Sequence, residues 1–368
     1  MNQQYTPVEI VNNPMLTKLI TPEALVDVAR DFDARKSDTV VDVGAGLSIN
    51  KQVAFGDVGP TDLSANALTL LGMKLGYLTD ESQARLPVDW MRKSATGYEF
   101  DTILNSRFSM VKEMGGWNYL ARYYNGDGNT PAVIRAVLGA DYPAFGKAGV
   151  YENTLMVEAL SEALKQFGGE VSFRRCKLTP DTVSIRVFTR EFTAEQIGSK
   201  YASSYAVGWV LGNNETGNGG FSIHPAIKRT ACDNSIVLLE DGGANYSHIG
   251  AKVKFTEAIE KALVEMVPAA MNGIRQIVRA ESMPIDFKQV MRDLENKFGW
   301  TDRKGNFKTT KMKELHDAVL IGTEGDTQTL MGAINGVTYA AHRVEQPEDD
   351  QLAMELFAGA LLNRVKVS

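Results

Sequence analysis

Cysteine is almost missing from this 368-residue chain. Cys176 and Cys232 are too few for a disulfide framework, and a chain of this length buries enough apolar surface to need none, so both read as reduced thiols. Histidine is nearly as scarce. The candidate zinc ligands by type are His224, Cys232 and His248, with Asp233 nearby, but their gaps match no compact zinc pattern, and no metal or other cofactor is expected. No stretch approaches the ~20 apolar residues of a membrane span. The opening residues Met1-Asn2-Gln3-Gln4-Tyr5-Thr6-Pro7 lack the basic start and apolar core of a signal peptide, so the cytoplasm is the expected location. Positive charge is in short supply overall, with 39 Lys and Arg against 45 Asp and Glu for a net charge of -6. That excludes a protein coated with basic residues and leaves room for one basic stripe on an acidic body.

What is present is an ordinary globular composition, 44% apolar and 23% charged, without low-complexity tracts or internal repeats. Thr21-Pro22-Glu23 is a helix start, with a capping hydroxyl, a proline at the first helical position and an early carboxylate before Leu25, Val26, Val28 and Ala29. The apolar runs Tyr119 to Tyr124 and Ala132 to Val137 flank Asn125-Gly126-Asp127-Gly128 and read as a hairpin. A helix is expected from Asn153 to Phe167. Val183, Ile185 and Val187 then alternate with Thr182, Ser184 and Arg186 as a half-buried strand does. Tyr205 to Leu211 is a further strand, and the glycines and asparagines from Gly212 to Gly220 mark a loop whose backbone N–H groups are able to cradle a phosphate. Beyond Val253, five segments have helical spacing: Phe255 to Ala280 with a break or kink at Pro268, Pro284 to Phe298, Lys311 to Leu320, Thr327 to Arg343 and Gln351 to Val365. Glu348-Asp349-Asp350 complements the dipole at the start of the last of these. The expected fold class is α+β, a mainly antiparallel sheet with inserted helices and a helical C-terminal third. Residues 1–250 form the sheet region and 251–368 a helical region packed on it, as one structural unit.

Four stretches together resemble the uncharacterised phage/plasmid-like domain family. They are Val133 to Tyr142, Leu211 to Val237, Asn245-Tyr246-Ser247-His248, and Ile334-Asn335-Gly336-Val337-Thr338 with the helix that follows. The chain departs from the family pattern at Asn214, Ser235 and Gly336, which stand where a serine, a glycine and an alanine are expected. The resemblance implies a protein carried by a phage or plasmid in a bacterial host. It also groups Arg229, Asn234 and His248 as a polar cluster, with either a structural or a phosphate-facing role.

The most enzyme-like string is Val40-Val41-Asp42-Val43-Gly44-Ala45-Gly46 with Asp62 further on, the pattern of an S-adenosylmethionine-dependent methyltransferase. Gly56, Gly59 and Pro60 leave no room for the helix and second strand such a site needs, so a strand ending in a glycine turn is the expectation. Cys232 with His248 as its base is the nucleophilic alternative, and no catalytic residue is assigned. Basic residues gather in two places. Arg174, Arg175, Lys177, Arg186 and Arg190 lie on two expected strands, and Lys297, Arg303, Lys304, Lys308, Lys311 and Lys313 are interleaved with Trp300 and Phe307. Cations that track phosphates beside aromatics that stack on bases are what a single-strand groove requires. The expected function is therefore nucleic-acid binding, most plainly of single-stranded DNA in recombination, replication or counter-defence, with strand annealing by a homo-oligomer or ring as its sharpest form. The alternatives are the methyltransferase and a non-enzymatic protein that binds a host factor.

Overall fold

Thr21 starts a helix as its position requires. In the computed structural model, which describes residues 21–79, 95–115, 118–124, 132–139, 152–167, 171–179, 182–200, 204–215, 220–229, 234–238, 244–246, 255–300, 307–344 and 348–365, the Thr21 hydroxyl accepts the Ala24 N–H at 3.2 Å and caps α1 (Pro22–Ala34). After one linking residue comes β1 (Lys36–Asp42), which ends in a 3₁₀ turn over Val43–Ala45 because the Asp42 carboxylate accepts the Gly44 N–H at 2.8 Å. Three short strands, β2 (Gly46–Ile49), β3 (Gln52–Phe55) and β4 (Val58–Thr61), then make an antiparallel meander. The helix crossover to a parallel strand that would build a nucleotide site is not made here. The glycines of the turn serve packing. A Cβ on Gly44 would lie 2.8 Å from the Lys112 Cα, and one on Gly46 would lie 2.6 Å from the Phe108 ring.

Both of those contacts come from α3 (Gly97–Met114), which follows α2 (Ala65–Thr79) and starts on a capping box between Thr96 and Glu99. The expected strands β5 (Asn118–Tyr124) and β6 (Ala132–Gly139) pair antiparallel and add to β1 in the order β1-β5-β6, while the residues between them lie outside the described part. Val43, Val53, Phe55, Leu71, Phe100 and Phe108 are at the heart of a core that belongs to these elements alone.

The chain comes back to α1 through α4 (Asn153–Phe167) and builds the central sheet: β7 (Ser172–Leu178), β8 (Thr182–Phe192), the single turn α5 (Ala194–Ile197), β9 (Tyr205–Asn214), β10 (Phe221–Arg229), β11 (Asn234–Val237) and β12 (Ala244–Tyr246). The spatial order is β11-β10-β9-β8-β7 with β12 also on β10, and each of these pairings is antiparallel. Helices α6 (Phe255–Ala280), α7 (Phe287–Phe298), α8 (Thr310–Gly322), α9 (Leu330–Arg343) and α10 (Glu348–Leu362) complete an α+β fold whose last third is helical. α6 runs past Pro268 without interruption. Among the described residues no helix is long and apolar enough to cross a membrane.

The central sheet is covered on both faces, and this corrects two sequence expectations. Ile185, Val187, Trp209 and Leu211 meet the helices of the larger core, while Phe188, Ala206, Val210 and Val237 meet Leu352 and Leu356 of α10. β8 is thus not half-buried, since Ser184, Arg186 and Phe188 on its second face are inside as well. The loop expected from Gly212 begins later, because Gly212, Asn213 and Asn214 continue β9, and residues 216–219 lie outside the described part. Gly336 lets α9 close on α8, where a Cβ would come 2.5 Å from the Val319 carbonyl oxygen.

Candidate nucleic-acid interface and buried ion clusters

The second basic stretch folds back on itself between α7 and α8. Gly299 ends α7 at a φ of 61°, the Trp300 carbonyl accepts the Lys308 N–H at 2.9 Å, and the Thr309 hydroxyl caps α8 by accepting the Met312 N–H at 3.2 Å. This return brings Lys297, Lys308, Lys311 and Lys313 to one end of the helix pair, all four exposed. Lys297 lies with its Nζ 5.5 Å from the Phe357 ring centroid. Lys311 and Lys313 stand at the start of α8, where the free N–H groups of the helix are already positive and carboxylates would be the stabilising choice. Their charge therefore works against the helix and adds to a positive end. Arg303 and Lys304 lie outside the described residues.

The aromatics of this stretch do something other than the stacking expected of them. Trp300 is 2% exposed and part of the main core. Phe307 is half-buried against that core, its ring 5.1 Å from the His316 ring. Trp300 is not placed to receive a base, because burying it is what anchors the return between the helices.

The first basic stretch lies on two neighbouring strands. Arg174 and Arg175 are on β7 and Arg190 is on β8, while Lys177 is half-buried. Arg186 is corrected from a surface cation to a core residue. It is 1% exposed, and its Nη2 donates to Glu355 Oε2 at 3.1 Å, with Nη1 3.4 Å from the Ser184 hydroxyl. The grouping of Arg229, Asn234 and His248 is only partly described. Arg229 faces Asn234 in the β10–β11 register and donates to Glu324 at 3.2 Å, and His248 lies outside the described residues.

Around Glu355 the structure collects a set that sequence reasoning did not single out. The Ser235 hydroxyl donates to Glu355 Oε1 at 2.9 Å and lies 3.1 Å from His342 Nε2, which is itself 2.9 Å from that carboxylate. Gln351 Nε2 meets His342 Nδ1 at 2.7 Å. Burial by itself would raise the Glu355 carboxyl, but the charges of Arg186 and His342 and the hydrogen bonds from His342 and Ser235 outweigh it and hold it at about 2. A serine, a histidine and an acid are together here without the geometry of a nucleophilic relay. In a relay the acid orients the histidine through Nδ1 while Nε2 serves the serine, whereas here both partners share Nε2. Ser235 is also 2% exposed, so the cluster is a buried polar part of the core. Its signal in the sequence was the serine at a position where the family resemblance expects glycine.

A second buried cluster is centred on Glu215, just past β9. Its Oε1 accepts from Lys36 Nζ at 2.8 Å and from the Asn153 N–H at 2.7 Å, and its Oε2 accepts from Arg122 Nη1 at 3.1 Å. Arg122 also forks onto Asp38 at 2.7 and 2.8 Å and reaches Glu152 at 2.9 Å. Burial pushes the Glu215 carboxyl upward against the pull of Lys36 and Arg122. Burial also opposes the charge on Arg122, but Asp38, Glu215 and Glu152 together raise its guanidinium above the ordinary range. The hint in the sequence was an arginine inside the apolar run of β5.

No protein-family model, curated protein or solved structure matches this chain.

Proposed function

We propose that this chain is a phage- or plasmid-encoded nucleic-acid-binding protein that holds single-stranded DNA by its phosphates at the turn between α7 and α8. The observation that carries this reading is the presence of exposed Lys297, Lys308, Lys311 and Lys313 where α7 ends and α8 begins, in a chain of net charge -6. Lys311 and Lys313 at the start of α8 work against its dipole, and an approaching anion offsets that cost. Arg303 and Lys304, within the same stretch of sequence, extend the charge. With Trp300 committed to the core, recognition is mainly of the backbone, so binding is salt-dependent and tolerant of sequence. In a phage or plasmid setting that activity suits recombination, replication or counter-defence, by analogy with annealing proteins of the same fold class, and a homo-oligomeric annealing ring is its most specific form.

Fluorescence anisotropy with a labelled oligonucleotide, titrated at several salt concentrations, tests the reading. Replacing Lys308, Lys311 and Lys313 together by Ala removes three phosphate contacts and flattens the slope of log affinity against log salt by about 2. An unchanged slope and affinity overturn it, and equal retention of an unrelated folded protein by the same oligonucleotide does the same.

A further inference from the structure

Besides the clusters on the two faces of the central sheet, the described residues hold a separate hydrophobic core that one continuous stretch supplies. Leu25 to Phe32 of α1 belong to the larger core, Val41 to Tyr123 make the separate one, and from Met156 onward the chain is in the larger one again. The elements β1 to β6, α2 and α3 are thus inserted between α1 and α4, which pack against each other in the main body. The chain enters this inserted body at Lys36, one residue after α1, and the main body resumes at Glu152.

Charged groups converge at that entry and return. Lys36 at the start of β1 pairs with Asp33 of α1 and with Glu215, and Arg122 of β5 pairs with Glu215 and with Glu152. Asp38 on β1, directly opposite Arg122 in the β1–β5 register, holds the guanidinium in place. The apolar share of the joint includes the Phe32 and Tyr124 rings, 5.7 Å apart, with Arg35 Nη1 3.5 Å from the Tyr124 hydroxyl. Bodies that meet through polar groups, each with its own core, move relative to one another unless something specific holds them. A buried ion pair is suited to that task, since it adds little net stability yet fixes one geometry and is costly to break from one side.

We propose that β1 to β6 with α2 and α3 form a hinged body, and that Glu215, gripping Lys36 and Arg122, is the pin that holds it closed against the main body. The Glu215 carboxylate is 0% exposed and stays with β9 and the Asn153 N–H when the joint opens, while Lys36 and Arg122 leave with the inserted body. This inference is independent of nucleic-acid binding.

Distance measurement by electron spin resonance on the full chain tests it, with spin labels at Tyr98→Cys on α3 and Val264→Cys on α6, positions 81% and 78% exposed. Cys232→Ser removes a competing thiol, and Cys176 is buried. With Glu215 in place the two labels give one narrow distance distribution. Glu215→Gln broadens it at least about two-fold while the circular dichroism of both bodies is kept, and Lys36→Met broadens it in the same direction and less. The proposal is overturned if both variants keep the narrow distribution. It is also overturned if either variant loses the helical signal of both bodies in one step, because the pin would then belong to one undivided core.

Discussion

Glu355 and Glu215 are both fully buried, both meet an arginine, and their carboxyls are driven in opposite directions. Glu355 lies within one body, between β8, β11 and the C-terminal helices, where Arg186, His342 and Ser235 outweigh burial and hold it at about 2. At Glu215 burial prevails, although Lys36 and Arg122 touch it, because Lys36 is shared with Asp33 and Arg122 with Asp38 and Glu152. A cluster that packs one body together can match its charges closely. A cluster at a joint divides the same cations among parts that are able to separate.

The comparison is most severely tested by removing one partner of the matched pair. Arg186→Ala leaves the Glu355 charge buried beside a lost cation and destabilises the main body by about 3–5 kcal/mol in urea unfolding, whereas Arg186→Met with Glu355→Met recovers most of that loss. A loss below about 1 kcal/mol for Arg186→Ala would mean that the Arg186–Glu355 pair does not hold the main body together.

Acid unfolding separates the two glutamates by sign. Glu355 has a folded pKa of about 2 against an ordinary 4.5, so its contribution is complete above the ordinary value and lost as pH falls toward the folded one. That contribution is on the order of 3 kcal/mol, and Glu355→Gln flattens the acid limb of stability against pH by a similar amount. Glu215 is shifted upward, so its contribution is present below its ordinary 4.5 and lost as pH rises through the folded value. Glu215→Gln therefore leaves the acid limb standing, and a limb that vanished with it would reverse the assignment.

The smallest expected effect addresses the independence of the two bodies. Thr96→Ala removes the capping box of α3 and costs about 1 kcal/mol. Hydrogen exchange should show that loss in α3 around Phe100 to Val111 and leave β9 as protected as before. Equal loosening of both would join the two cores into one cooperative unit.

Local chemistry determined much of this fold. Thr21-Pro22 starts α1, Asp42 with Gly44 turns the end of β1, β5 pairs with β6, and the five C-terminal helices lie close to where their apolar spacing puts them. Each of these depends on residues within a few positions of one another, so sequence periodicity and capping rules reach them. The lysines between α7 and α8 were equally legible as a basic stretch. Only the tertiary structure decided which members of that stretch face outward, because burial of Trp300 depends on a core assembled from the whole main body. The same holds for Arg186. An arginine alternating with apolar residues in a strand reads as solvent-facing, and what reverses that reading is Glu355, 169 residues further along the chain. Glu215 likewise meets Arg122 across 93 residues. A charge can be buried only where an opposite charge arrives to meet it, and that arrival is a property of chain topology, which no local window of the sequence contains.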